Sequence, residues 1–135
     1  MYPRAFTAGF LSTLVFHQGL FWILYQAGAL SRAPWNMAPV PPFGVPAVIS
    51  LAFWGGLWGI ALWLLIRRAT GRRRWGLATG LGALLPSLVA LAIVFPLKGG
   101  TFFAGGDPKI LLGALLLNGA WGFGVALFMK LMYRH

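Results

Sequence analysis

The chain has 135 residues, 59% of them hydrophobic and 9% charged, whereas a soluble domain carries about a quarter charged residues. Eleven Lys and Arg face one acid, Asp107, for a net charge of +10; they gather at the ends of apolar stretches, a pattern that encodes membrane topology and argues against a nucleic-acid interface. Cysteine is absent, which excludes disulfides, thiolate metal sites and cysteine nucleophiles.

A helix needs about 20 apolar residues to cross a bilayer, and four stretches meet this, residues 6–28, 45–66, 75–96 and 110–132. The first run is longer than the apolar core of a signal peptide and is expected to be retained. It carries His17 and Gln18 near mid-depth. The loop that follows contains Pro34, Pro39, Pro41 and Pro42, with Pro46 just beyond. Prolines lack a backbone donor and favour extended or turn geometry, so this segment reads as a stiff, ordered outer cap.

The second run bears Gly55 and Gly59 and ends in the cluster Arg67, Arg68, Arg72, Arg73, Arg74. The third opens with Gly76 and Gly80 and has Pro86 and Ser87 at mid-depth, where Pro86 predicts a kink that frees the Gly82 carbonyl. A glycine-rich loop, residues 97–109, then holds Asp107 between Lys98 and Lys109, expected as a solvated acid or a loop salt bridge. The fourth run carries Asn118, Ala120, Gly124 and, at its end, Lys130. Pro46 and Pro108 each stand where a helix starts, the position that tolerates a missing N–H.

Orientation follows from the cations, because Lys and Arg are held back in short cytoplasmic loops. Arg4, the five loop arginines, Lys130 and Arg134 lie on one side; Arg32, Lys98 and Lys109 lie on the other. Both termini are therefore expected in the cytoplasm, in a bacterial inner membrane. Trp75 and Tyr133 fall at the inner boundary, and Tyr25 and Trp35 at the outer one, as aromatic belts require. The arginine cluster is expected to contact anionic lipid heads.

The two halves of the chain resemble each other. Gly44-Val45-Pro46 opens the second run and Gly106-Asp107-Pro108 the fourth, while Gly56-Leu57-Trp58-Gly59 matches Gly119-Ala120-Trp121-Gly122. This predicts an all-α membrane protein of four helices built as two duplicated hairpins in parallel orientation, one domain over residues 1–135. Small residues four apart let helices approach closely in lipid, which nominates Gly55, Gly59, Gly76, Gly80, Ala120 and Gly124 as packing positions. His17, Gln18, Ser87 and Asn118 fall at similar depth and are expected to form a midplane polar cluster facing the bundle interior.

None of the four spans contains Asp or Glu, so the carboxylate that ion-coupled transport and acid–base catalysis generally use is missing from the membrane. No catalytic residue, metal site or cofactor is expected. The leading functional expectation is a non-catalytic accessory or structural subunit, or a homo-oligomer, packing laterally in the membrane. One alternative is a passive channel or facilitator for a small neutral or anionic solute past the midplane polar groups. Another is a haem- or quinone-associated subunit through His17, although no second intramembrane histidine completes a haem site.

Overall fold

The computed structural model describes residues 2–30, 33–40, 43–97 and 99–133. Arg32, Pro41, Pro42, Lys98 and Arg134, used above for charge placement and loop stiffness, lie outside the described residues.

Four helices are each long and apolar enough to cross a membrane: α1, Tyr2–Gln26; α2, Ala47–Ile66; α3, Gly71–Val94; and α4, Pro108–Met132. Only about a third or fewer of the residues in each span are buried inside the chain. The remaining apolar surface, with Trp22, Trp54, Leu65, Leu84, Leu88 and Leu112 exposed, is satisfied only by an apolar surrounding, so this is an integral membrane protein.

The boundaries differ from the sequence reading in ways that have physical causes. The third helix begins at Gly71, four residues early, so Arg72, Arg73 and Arg74 form its first turn instead of a free loop. Val45 and Pro46 do not start α2; they pair antiparallel with Val40 and Pro39 in a two-residue ladder, β1 (Pro39–Val40) against β2 (Val45–Pro46). At the start of α4, Asp107 is a helix cap: its carboxylate accepts from the Lys109 N–H at 3.0 Å, with Pro108 in the first turn. Asp107 is exposed, as expected of a solvated acid, and the cap adds a role the sequence reading lacked, a negative charge at the positive end of the helix dipole.

Two helices contain a wider, π-wound turn. In α1 it spans Thr13–His17, where the Gln18 N–H reaches back five residues to the Thr13 carbonyl. In α3 it spans Ala90–Val94, one turn beyond Pro86, and a single α-turn, Phe95–Leu97, follows. The helix runs through Pro86 without ending.

In the bundle, α1 packs on α2 and α4, α4 packs on α1 and α3, and α2 meets α3 far less. The chain is thus two hairpins, α1–α2 and α3–α4, joined mainly along α1 and α4. Each hairpin is closed by the same seam. A Cβ on Gly59 would lie 2.6 Å from the Ala5 carbonyl oxygen and 2.9 Å from Gly9 Cα; a Cβ on Gly122 would collide with the Ala78 carbonyl and lie 3.0 Å from Gly82 Cα. Only glycine permits such approach, and dispersion over the shared backbone surface is the main attraction available between helices in lipid.

The largest buried apolar cluster sits in the half of the bundle next to the arginine cluster, built from Ala5, Leu62, Trp63, Ile66, Val125 and Met129 among others. Polar contacts between helices add to it, from Trp121 at its edge to the Ser87–Asn118 pair farther along α3 and α4.

Candidate functional site

The four midplane polar residues separate into two pairs. On α3 and α4, Asn118 Nδ2 donates to Ser87 Oγ at 2.9 Å, and Ser87 Oγ donates to the Ala114 carbonyl at 3.2 Å. This is an interhelical tie of the second hairpin. On α1, Gln18 Nε2 lies 3.0 Å from His17 Nδ1, while Gln18 Oε1 accepts the backbone N–H of Trp35 at 2.7 Å. A backbone N–H can only donate, which fixes the orientation of the Gln18 amide; His17 Nδ1 therefore accepts, and its ring proton resides on Nε2. No hydrogen bond among the described residues joins the two pairs, so the single cluster expected from depth alone is not formed. Distance along a helix fixes depth but not azimuth, and these residues point to different neighbours.

The partner of Gln18 was not foreseen. Trp35, expected at the outer boundary, bends back onto the middle of α1, and its indole Nε1 also donates to the Leu14 carbonyl at 2.9 Å. Leu14 lies inside the π-wound turn, where the ordinary i to i−4 pattern is broken and a carbonyl becomes available to an outside donor. Trp35 itself has φ +51°, a conformation that side chains other than glycine adopt at a cost, and two hydrogen bonds hold it there. Downstream, the Asn36 and Ala38 carbonyls accept the N–H groups of Val48 and Ala47 at 2.8 and 2.9 Å, capping α2. Residues 33–40 of the proline-rich loop are thus held as a strap that ties α1 to the start of α2.

The two hairpins are bolted together by Trp121 of α4. Its indole donates to the Gly9 carbonyl at 3.1 Å, and its own carbonyl accepts from Ser12 Oγ at 2.6 Å. All these groups are buried, and no buried polar side-chain atom among the described residues lacks a partner. Beside Trp121, between α2 and α3, the cleft lined by Trp58, Leu62, Leu81, Leu85 and Pro86 has a volume of about 10 Å³, room for roughly one water.

Of the nominated packing residues, Gly55 and Gly59 press on α1, Gly124 presses on Ser12 and Phe16, and Ala120 is half-buried. Gly76 and Gly80 behave differently: both are exposed, and a Cβ on either would meet nothing within 4 Å. Gly9, Gly82 and Gly122, which form the closest approaches, were missed. The spacings Ala5 to Gly9 and Ala78 to Gly82 carried the signal.

The arginine-bearing end holds an open concavity, a cleft of about 450 Å³. Its walls are Trp63 from α2, the Arg67–Arg68 turn, Arg74 from α3, and Met129, Lys130 and Tyr133 from α4. Trp63 and Tyr133 stack with centroids 6.2 Å apart and planes 15° from parallel. Arg74 lies 4.9 Å over the Trp63 ring and Arg4 lies 4.4 Å over Tyr133, so all four helices contribute to one cation–aromatic assembly. Arg74 also closes the α2–α3 turn, donating from Nε to the Ala69 carbonyl at 2.8 Å and from Nη2 to the Arg67 carbonyl at 3.1 Å. Arg72 and Arg73 are exposed and do not line the cleft. The five arginines expected to act alike therefore have distinct roles.

No protein-family model, curated protein or solved structure matches this chain.

Proposed function

We propose that the protein is a non-catalytic component of a bacterial inner membrane that acts by lateral association, with a second copy of itself as the primary partner and a larger membrane complex as the wider setting. Its arginine-bearing end, together with the N-terminus and the C-terminus, faces the cytoplasm. The observation that carries this reading is the exposed pair Gly76 and Gly80 on α3. The close backbone approaches that seal each hairpin use glycine, and this pair has the same one-turn spacing, yet a Cβ on either would meet nothing among the described residues. Such a face suits a partner helix, and one facing its own copy about a two-fold axis closes a dimer. The tight fit around Trp121 favours this over a solute path, which needs a continuous polar lumen.

The reading is tested by measuring protomer number in lipid nanodiscs. Wild-type protein is expected to be dimeric, and Gly80→Leu monomeric with unchanged helix content, because the added side chain enters open space. A wild-type monomer, or a Gly80→Leu protein that associates as before, contradicts it.

A further inference from the structure

The cleft at the arginine-bearing end is more than a basic surface. Arg68, Arg74 and Lys130 converge on it from three different segments, with Arg67 beside them. The only side-chain acid of the chain, Asp107, caps the far end of α4, 23 residues before Lys130, about 35 Å away along the helix. No side-chain carboxylate can therefore reach Arg68, Arg74 or Lys130. Two helix N-termini (α1, α3) and two C-termini (α2, α4) meet here, so the helix dipoles largely offset one another and the side chains set the potential.

One of these cations is also positioned in advance. Arg74 is fixed by two carbonyls and the Trp63 face, and its Nη1 makes no hydrogen bond to the described residues. Like charges sharing one cleft repel until an anion enters, and guanidinium groups match phosphate oxygens in pairs. The cleft volume lies within the ordinary range for ligand sites. Its apolar side, Trp63, Met129 and Tyr133, belongs to the ends of spans, at the level where lipid phosphates sit. Charge and position together select a lipid over a protein partner.

We propose that this cleft binds the phosphate-bearing head group of one anionic lipid, held by Arg68, Lys130 and the free edge of Arg74 beside the Trp63–Tyr133 pair. The proposal rests on the membrane placement above but not on the association through α3. A site differs from diffuse attraction in that equal charge removed elsewhere on the same end leaves it intact.

The test is native mass spectrometry of protein released from nanodiscs of phosphatidylcholine and phosphatidylglycerol. Wild type is expected to retain one phosphatidylglycerol per chain. Arg68→Gln/Lys130→Gln should lower the retained fraction at least about tenfold. Arg72→Gln/Arg73→Gln, with the same loss of charge just outside the cleft, should change it less than about twofold. Equal loss in both double variants overturns the site in favour of diffuse attraction. Displacement of the lipid by millimolar inorganic phosphate overturns the lipid as ligand and leaves a soluble-anion site. Lys130→Arg, which keeps charge and fold, should retain the lipid, and its failure to do so also counts against the proposal. The same spectra report protomer number, so a monomer that keeps its lipid rejects only the association through α3.

Discussion

Gly59 and Gly122 occupy the same place in the two hairpins: each presses on an alanine carbonyl and, one turn along, on a glycine Cα of the preceding helix, Ala5 and Gly9 for the first, Ala78 and Gly82 for the second. The residues flanking them repeat as well, in Trp58-Gly59 and Trp121-Gly122. Both tryptophans line the small cleft between α2 and α3, yet of the two indoles only that of Trp121 bonds α1. One seam used twice closes each hairpin, and one tryptophan, used once, joins them.

The seam predicts a steep glycine dependence. Gly122→Ala places a methyl against the Ala78 backbone, which cannot swing away as a side chain can, and Gly9→Ala does the same against Gly55. Each is expected to destabilise the bundle by about 1–3 kcal/mol, the usual range for overpacking, read as a lower midpoint in detergent–SDS titration. Gly76→Ala, which meets no other described residue of its own chain, should leave the midpoint of the isolated bundle unchanged whatever it does to association; equal effects at Gly76 and Gly122 in the monomer would argue against the seam.

Trp121 supplies a second test. Trp121→Phe keeps a ring in the interface but deletes the donor to the Gly9 carbonyl, and Ser12→Ala deletes the donor to the Trp121 carbonyl. Interhelical hydrogen bonds in membranes average about 0.6 kcal/mol and reach about 1.7. A loss of that size from each variant is expected in the same titration, with coupling between the two in a double-mutant cycle. Strict additivity to wild-type stability, with no loss from either, would mean that the bolt contributes nothing.

How much of this was legible in the sequence depends on whether a feature is fixed by one helix or by two. Span count follows from uncharged length, and all four helices were found; Gly55 and Gly59 were recognisable because both contacts lie on one helix. Gly9, Gly82 and Gly122 required knowing which face of each helix meets its neighbour. Gly76 and Gly80 have the same spacing as Gly55 and Gly59 but point outward, a distinction spacing alone does not make. The pairing of Gln18 with Trp35 was hidden for a further reason: it depends on a π-wound turn that rotates the second half of α1, and the turn has no residue signature of its own. Depth alone grouped Gln18 with Asn118, and three-dimensional direction separated them.

The strap makes a local, measurable claim. Gln18→Leu removes the acceptor of the Trp35 N–H and, with it, the neighbour of His17 Nδ1. Hydrogen exchange over residues 33–40 is expected to accelerate at least about tenfold, equivalent to some 1.4 kcal/mol of local opening, while exchange in α4 stays unchanged. No change in the loop would show that Trp35 is held by other means.

The whole account depends on four crossings with the arginine turn and the proline strap on opposite faces of the membrane. Because the chain has no cysteine, single substitutions report side without background. With a membrane-impermeant maleimide on intact bacterial cells, Met37→Cys and Gly105→Cys should label at once, and Thr70→Cys only after permeabilisation. Labelling of Thr70→Cys together with Met37→Cys in intact cells would contradict the four-span arrangement.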